Sequence, residues 1–283
     1  KKLREQSLNT KPSISSERAA LLTEFYKSDR AKKVSNPVKR ALAFKYILEN
    51  KSICINKGEL IVGERGPTPR ATPTYPEITI HSLNDLDILN SREKTSYSVN
   101  EDTKKLYEKD IIPFWKGQSI RDRIFEEVSD EWKAAFEAGI FTEFMEQRAP
   151  GHTVLGGKIY KNGLLDIKAE IRESIQNLDF LTDPEAYEKR EELKALDICA
   201  DALIHFAQRH AEEVSKLAKK EKRPERKKEL EKIASICSHV PAHAPQDLWE
   251  ALQYYWFVHL GVITELNGWD SFNPGRLDQH LYP

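Results

Sequence analysis

The sequence predicts a mainly helical protein with little β-strand, because two long apolar patterns and one proline-rich loop dominate it. Apolar residues recur at alternating steps of three and four from about 184 to 222, which places them on one face of a long helix. Residues 246–260 are apolar on almost every side, as in a helix inside a larger body. The loop at 66–76 holds four prolines, so it is neither helix nor central strand.

The size and charge of the chain exclude several classes of protein. Its 283 residues suffice for one large domain or two small ones. With 44 basic and 45 acidic side chains, and no long run of one sign, nothing indicates binding to nucleic acid or to an anionic membrane. No stretch reaches the ~18 consecutive apolar residues of a membrane span. We therefore expect a cytoplasmic protein, and the missing initial methionine leads us to expect trimmed termini.

The three cysteines indicate free thiols in a reducing compartment. Cys54, Cys199 and Cys237 are widely spaced and odd in number, which argues against a disulfide framework. They lack the spacing of zinc ligands, and Pro241 breaks the helix that would place His239 and His243 on one face. We therefore expect no bound metal.

Helix starts can be predicted from capping residues in the first half of the chain. A serine at 15–16 precedes an amphipathic stretch, and the Asn-Pro pair at 36–37 supplies a cap and a first-turn proline. Short helices are expected between 100 and 141, with Ser119 and Ser129 as caps. These signals predict a first helix after the serine at 15–16, a second that begins at the Asn-Pro pair, and several short ones from residue 100 to residue 141.

The segment at 60–62 is the best candidate for a strand. It is a short apolar run with branched side chains between Gly58 and Gly63. The proline-rich loop at 66–76 follows it. This loop is either a linker between domains or an ordered loop that lies on a site.

One segment, 142–153, combines two carboxylates, a guanidinium and an imidazole around a Pro-Gly turn. Arg148 can hold a carboxylate through two hydrogen bonds, and His152 can donate or shuttle a proton near neutral pH. The alternative is a buried ion pair that braces the turn, and the residues alone favour it for Arg148, Glu143 and Glu146. For His152 the two interpretations stay balanced.

A second segment, 265–280, directly follows the apolar helix expected at 246–260. Its polar side chains therefore lie at the end of a buried element, where binding sites collect. Asp270 could accept a hydrogen bond from a substrate amine or hydroxyl group. On the residues alone, the better explanation for Asp270 and Asp278 is helix capping or pairing with Arg276.

Four stretches of the chain resemble glycyl radical enzymes of the pyruvate formate-lyase superfamily. These stretches are 58–64, 73–77, 144–152 and 274–283. They are most similar to trans-4-hydroxy-L-proline dehydratases and to the archaeal and clostridial proteins often labelled pyruvate formate-lyase. The resemblance runs over nearly the whole chain.

The resemblance implies an α/β architecture, a ten-stranded β/α barrel whose mainly helical amino-terminal portion is formed by residues 1–283. The thiyl cysteine, the catalytic glutamate and the glycyl radical domain with its radical glycine would all follow Pro283. We therefore expect no catalytic residue in this chain, which alone would be an inactive fragment. Cys54, Cys199 and Cys237 match none of these positions.

The resemblance also implies an anaerobic lyase with an organic radical as its cofactor. A radical SAM activating enzyme would install the glycyl radical outside this chain, and a thiyl radical would then abstract a hydrogen atom from the substrate. In the dehydratase pattern, Phe144 would pack against the substrate ring, His152 would lie at the polar end of the pocket, and Asp270 would hydrogen-bond the substrate. A homo-oligomer is expected for the full-length enzyme.

Three functions remain open from the sequence. The leading one is dehydration of a small hydroxylated substrate such as trans-4-hydroxy-L-proline. The enzymatic alternatives are pyruvate formate-lyase (formate C-acetyltransferase) and a related diol or glycerol dehydratase. The third is a truncated helical scaffold or binding module, although the apolar helix at 246–260 would then need partners from elsewhere. The fragment alone is therefore expected to aggregate or to stay partly unfolded.

Overall fold

The computed structural model describes residues 1–141 and 155–266, which are mainly helical. The α-helices are α1 (Lys2–Asn9), α2 (Glu17–Lys27), α3 (Asn36–Asn50), α4 (Leu83–Ser91), α5 (Glu101–Leu106), α6 (Ile112–Trp115), α7 (Ile120–Glu127), α8 (Asp130–Glu137), α9 (Leu164–Gln176), α10 (Ala186–Lys220), α11 (Pro224–His239) and α12 (Leu248–Glu265). A π-helical turn, Tyr107–Ile111, joins α5 to α6, and 3-10 turns lie at Asp29–Ala31 and Gly156–Tyr160. The strands β1 (Ser13–Ser15) and β2 (Ala71–Pro73) form a short parallel pair. The predicted predominance of helix is confirmed.

The long helix predicted from about 184 to 222 is α10, and it is the centre of the structure. It contacts α3, α9, α11 and α12. Its fully buried residues include Phe206 and Val214, which pack with Phe257 of α12 and Ile233 of α11. Burial of an aromatic or branched side chain of this kind contributes about 1.5–3 kcal/mol relative to exposure, so this shared core holds four helices together.

A second core packs against a different face of α3. Phe25 of α2, Ile47 of α3 and Leu86 of α4 pack there against Tyr107 and Ile111 of the π-helical turn. Because α3 contributes side chains to both cores, it joins the α2–α4 region to the long helix α10.

The predicted caps are confirmed in part. The hydroxyl groups of Ser119 and Ser129 accept hydrogen bonds from the first turns of α7 and α8, over 3.0 and 3.2 Å. Ser16 does precede α2, but its hydroxyl oxygen lies 3.3 Å from that of Thr103 and not in a capping position. The residue before α3 is Ser35, whose hydroxyl donates to Glu191 of α10 over 2.8 Å. The start of α3 is thereby tied to the long helix.

The prediction of a strand at 60–62 is wrong, because side chains of α12 occupy the place of a partner strand. The amide of Gln253 accepts from the N–H of Val62 over 2.8 Å and donates to its carbonyl over 3.0 Å. The indole N–H groups of Trp249 and Trp256 donate to backbone carbonyls on either side, over 2.8 and 2.9 Å. Buried backbone groups need hydrogen-bond partners, and here a helix supplies them to an extended segment.

The proline-rich loop at 66–76 is ordered and belongs to the body of the protein. Its residues Ala71–Pro73 form β2, which pairs with β1, and Ala71 and Thr74 are buried. Of the two interpretations left open by the sequence, the linker between domains is therefore wrong. This loop runs beside the carboxyl end of α12.

The apolar helix α12 extends to Glu265, five residues beyond the predicted end at residue 260. Its side chain Tyr254 is fully buried, as is Phe257. A stripe on its other side is only partly covered within the described residues: Leu248, Leu252, Tyr255, His259, Val262 and Leu266. None of the helices in the described ranges is long and apolar enough to cross a membrane.

Candidate functional site

The three predicted substrate residues lie outside the described residues. Phe144 and His152 belong to the segment 142–154, and Asp270 belongs to the segment 267–283. The site must therefore be approached from the described residues that flank these two segments, Leu155 after the first and Leu266 before the second.

Leu155 and Leu266 line the same cavity, of about 550 Å³, between α3, α10 and α12. The walls are mostly apolar and include Phe44 and Leu203. Leu196, which belongs to the apolar pattern of α10, is half-exposed because it faces this cavity and not the core. A mainly apolar cavity of a few hundred Å³ is typical of sites for small ligands. The residue that follows the segment 142–154 and the residue that precedes the segment 267–283 thus line one cavity.

A charged pair contributes the polar part of this cavity. Arg40 of α3 forms an ion pair with Glu265, the last residue of α12, and both line the cavity together with Glu192. Burial raises the pKa of Glu265, and the positive charges of Arg40 and Arg18 oppose that rise. The cavity therefore combines apolar walls with one guanidinium–carboxylate pair.

The carboxyl end of α12 is held by a buried arginine. Arg18 of α2 is only 4% exposed, and its Nε donates to the carbonyl of Thr264 over 2.5 Å. Its terminal nitrogens donate to both carboxylate oxygens of Glu77, over 3.2 and 2.5 Å. The guanidinium carbon lies 4.2 Å from the ring centroid of Tyr75. One side chain thus joins α2, the loop after the proline-rich segment and the end of α12.

Tyr75 provides a second contact to the same helix end. Its hydroxyl donates to the carbonyl of Ile263 over 2.6 Å. Burial raises the pKa of Tyr75 to about 12, so the phenol stays a proton donor at neutral pH. The last four carbonyls of an α-helix have no partner within the helix, and Arg18 and Tyr75 satisfy two of them. We refer to Arg18, Tyr75 and Glu77 as the carboxyl-end clamp.

The sequence interpretation assigned no role to the carboxyl-end clamp, although two signals for it were present. Arg18 precedes Leu22 by four residues in an amphipathic helix, so the two side chains share a face, and Leu22 is buried. Tyr75 and Glu77 belong to one of the stretches that carry the family resemblance. An arginine on the apolar face of a helix needs a buried acidic or carbonyl partner.

The three cysteines are free, as expected. Burial raises the pKa of Cys54 to about 11 and those of Cys199 and Cys237 to about 12. Cys199 lines the cavity, where it remains a protonated thiol. No group of three or more histidine, cysteine, aspartate or glutamate side chains that could hold a metal ion occurs within residues 1–141 and 155–266.

His239 and His243 are closer together than the sequence interpretation implied. The helix α11 does end at His239, before Pro241. The turn nevertheless stacks the two imidazole rings, with centroids 5.0 Å apart. His239 Nε2 also lies 3.0 Å from the carbonyl oxygen of Ala244, so this contact stabilises the turn between α11 and α12.

Comparison with known proteins first defines the class. Residues 1–283 match the family model described as pyruvate formate lyase-like, and the chain belongs to this family. It is 52% identical, over 283 residues, to the trans-4-hydroxy-L-proline dehydratase of Clostridioides difficile, covering 100% of this chain and 36% of that protein. The family resemblance inferred from the sequence is therefore confirmed.

Two solved structures of such enzymes superpose closely on the described fold. The crystal structure of hydroxyproline dehydratase from Clostridioides difficile, with trans-4-hydroxy-L-proline bound, matches with a TM-score of 0.93 and 51% identity over 99% of this chain and 35% of that chain. The glycerol-bound form of the B12-independent glycerol dehydratase from Clostridium butyricum matches with a TM-score of 0.91 and 32% identity, over 99% of this chain and 36% of that chain.

The chain spans about a third of the length of these relatives. It forms a mostly helical portion of a pyruvate formate-lyase-like protein, as predicted. The described residues contain only the short pair β1 and β2, so the ten-stranded barrel stays a prediction for the complete fold.

Proposed function

We propose that this chain is the amino-terminal part of a glycyl radical dehydratase, a carbon–oxygen lyase that removes water from trans-4-hydroxy-L-proline or a similar small hydroxylated substrate. The observation that carries this proposal is the 52% identity to the hydroxyproline dehydratase along the whole chain. Identity to the glycerol dehydratase structure, which binds a different hydroxylated substrate, is 32%.

In this proposal, Phe144 packs against the substrate ring, His152 lies at the polar end of the pocket, and Asp270 hydrogen-bonds the substrate. Chain length supports a common location for two of them. An extended chain advances at most ~3.6 Å per residue. Asp270 is four residues from Leu266 in the sequence, which an extended chain spans with about 14 Å, and His152 is three residues from Leu155, which corresponds to about 11 Å. Both flanking leucines line the same cavity.

The residues of this chain would bind and orient the substrate. The carboxylate of Asp270 can accept a hydrogen bond from a substrate amine or hydroxyl group, and a charged acceptor makes such a bond stronger than a neutral one. His152 can donate a proton near neutral pH, which would help the departing hydroxyl group to leave as water.

The remaining parts of the reaction belong outside this chain. The glycyl radical, with the cysteine that carries its reactivity to the substrate, would supply hydrogen abstraction. The thiyl cysteine, its neighbouring glutamate and the radical glycine are proposed to follow Pro283 in a longer polypeptide. The proposal includes a radical SAM activating enzyme as partner, a homo-oligomeric enzyme without a bound metal, and a cytoplasmic location.

A glycerol or diol dehydratase is the second candidate function. The structural match to the glycerol dehydratase, with a TM-score of 0.91, favours it. Both candidates are dehydratases that act on small hydroxylated molecules, so only direct comparison of substrates distinguishes them.

The test is anaerobic turnover by the longer polypeptide that contains this sequence, activated by its radical SAM enzyme. Dehydration of trans-4-hydroxy-L-proline with much higher kcat/KM than that of glycerol would support the first candidate. Preference for glycerol would support the second, and formate release from pyruvate and coenzyme A would contradict both.

The role of Asp270 can be tested in the same assay. Asp270→Asn weakens a charge-assisted hydrogen bond, which is worth about 1.5–3 kcal/mol, so we expect kcat/KM to fall roughly 10- to 100-fold. The melting temperature should change little. Asp130→Asn, at a fully exposed position on α8, is the matched control and should leave kcat/KM unchanged. Unchanged kinetics in Asp270→Asn would remove this residue from the site.

A further inference from the structure

We propose that the carboxyl-end clamp is a positioning device for the substrate site. Arg18, Tyr75 and Glu77 fix the direction in which the chain leaves α12, and they thereby position Asp270. This inference rests on the function proposed above, because only that function makes Asp270 a residue that binds the substrate. The three residues of the clamp would act through Asp270 without touching the substrate.

The contacts at the end of α12 cover four consecutive residues. Tyr75 holds the carbonyl of Ile263, and Arg18 holds that of Thr264. Glu265 is paired with Arg40. The N–H of Leu266 donates to the carbonyl of Val262 over 2.8 Å, which continues the helical pattern. The last turn is therefore fixed up to the residue where the segment with Asp270 begins.

Arg18 can fix this turn because its donors point to three different groups. Nε reaches Thr264, one terminal nitrogen reaches the carbonyl of Thr74 over 3.3 Å, and both terminal nitrogens reach Glu77. A planar guanidinium holds such partners at set angles, whereas a lysine ammonium acts as a point charge on a flexible stem. Lysine at this position would keep the positive charge but lose the geometry.

The clamp also contacts the chain that leads to the other undescribed segment. The N–H of Ile120, at the start of α7, donates to the carbonyl of Glu77 over 2.9 Å, and the N–H of Arg121 donates to that of Ile78 over 3.0 Å. The helices α7 and α8 then lead to residue 142. Glu77 is thus hydrogen-bonded through its side chain to Arg18 and through its backbone carbonyl to the start of α7.

A purely structural role is the alternative, and the protein contains a matched control for it. Arg209 of α10 donates to the carbonyls of Leu48 and Lys51, over 2.6 and 2.9 Å, at the carboxyl end of α3. This is the same kind of contact between an arginine and the end of a helix. The chain that leaves α3 leads to residues 52–56 and not to either segment with predicted substrate residues.

The test compares Arg18→Lys with Arg209→Lys in the activated, full-length enzyme, with rates expressed per glycyl radical measured by electron paramagnetic resonance. Misplacement of a substrate contact by about 1 Å can cost up to ~100-fold in rate. We therefore expect Arg18→Lys to raise KM at least about threefold and to lower kcat/KM at least about tenfold. Arg209→Lys should stay within about twofold of the wild type in both, even where its melting temperature falls equally.

The split between KM and kcat distinguishes positioning from a loss of folded enzyme. A smaller active fraction lowers the apparent kcat alone, and normalisation to the radical removes even that change. The proposal is overturned if Arg18→Lys keeps KM and kcat/KM within about twofold of wild type, or if Arg209→Lys changes them as much. If Arg18→Lys does not fold, Tyr75→Phe decides by the same criteria, with an expected loss of at least about threefold in kcat/KM.

An enzyme that dehydrates neither substrate would contradict the proposed function without deciding whether the clamp exists. Amide hydrogen exchange then tests the clamp directly. We expect exchange at residues 262–266 to become at least about tenfold faster in Arg18→Lys and to stay unchanged in Arg209→Lys. Equal exchange in Arg18→Lys and wild type would overturn the clamp itself.

Discussion

The carboxyl ends of α3 and α12 are both capped by an arginine, but within the described residues only the arginine at α12 forms an ion pair. At the end of α3, Arg209 contacts two backbone carbonyls. At the end of α12, Arg18 contacts a backbone carbonyl and is also paired with Glu77. The two ends therefore satisfy the same kind of backbone carbonyl with an arginine that is in an ion pair at α12 and with one that is not at α3.

Three basic groups, Lys51, Arg209 and His210, lie near the end of α3. The carboxylate of Glu17 accepts hydrogen bonds from Ser52 there, and its charge opposes the burial that lowers the pKa values of Lys51 and Arg209. The described part of the chain nevertheless forms no ion pair between a carboxylate and any of the three basic groups. Burial lowers the pKa of Lys51 to about 8 and that of His210 to about 4. At neutral pH burial therefore favours the neutral form of His210, whereas Lys51 stays mostly protonated.

The end of α12 instead keeps full charges in pairs. Arg18 is paired with Glu77, and Arg40 with Glu265. Removing one member of a buried pair leaves the other charge without compensation, which costs more than the pair itself contributes. An arginine that caps a helix end and is also in a buried ion pair therefore makes the stability of the fold depend more strongly on both partners. The end of α12, which is held in this way, lies beside the candidate site.

The largest expected effect comes from breaking the pair at α12. Arg18→Met should lower the free energy of unfolding by about 3–5 kcal/mol, because it leaves the Glu77 carboxylate in a largely buried site. Urea denaturation of the protein measures this change. The double variant Arg18→Met/Glu77→Gln should recover part of the loss, and a loss below about 1 kcal/mol in Arg18→Met would contradict the assigned burial.

A somewhat smaller effect concerns pH and the basic end of α3. The pKa of His210 is lowered from 6.5 to about 4, so the unfolded chain binds a proton between these values and the folded protein does not. Stability should therefore fall as pH decreases from 6.5 to 4, by up to about 3 kcal/mol from this residue.

Urea denaturation at pH 7 and pH 4.5 measures the pH effect in the wild type and in His210→Gln. The variant should show a smaller difference between the two pH values, whatever its overall stability. An equal difference in both proteins would contradict the lowered pKa of His210 in the folded protein.

The smallest effect is expected for the cap without a counter-charge. Arg209→Met removes two hydrogen bonds to carbonyls of Leu48 and Lys51 but leaves no carboxylate unpaired. The free energy of unfolding should fall by about 1–2 kcal/mol, less than in Arg18→Met. If the two methionine variants lost equal stability in the same urea experiment, the distinction between the two helix ends would be wrong.

The sequence predicted those parts of the fold whose signal is local. Periodicity over 35 residues defines α10, and serine caps define α7 and α8. The segment at 60–62 was misassigned because its partner Gln253 is distant in sequence and belongs to a helix. A rule based on neighbouring residues cannot detect such a partner.

The candidate site also has a part that the sequence predicted and a part that it did not. The family was predictable because several stretches of residues carry the resemblance together. The carboxyl-end clamp was not, because Arg18 finds Glu77 and Thr264 only through the tertiary fold. Phe144, His152 and Asp270 stay predictions. The fold supports them in one respect, since Leu155 and Leu266, which flank the segments that contain them, line the same cavity.

The hydrogen bonds between Gln253 and Val62 also set an order of events during synthesis. The two residues are 191 positions apart, and a ribosome adds about 5–20 residues per second. Roughly 10–40 s therefore pass between the synthesis of the segment at 60–62 and that of Gln253. During this time the backbone groups of the segment form hydrogen bonds with water. Until α12 emerges, this extended apolar segment resembles an open sheet edge, so a nascent chain stalled before residue 253 presents a surface that chaperones or other copies can bind.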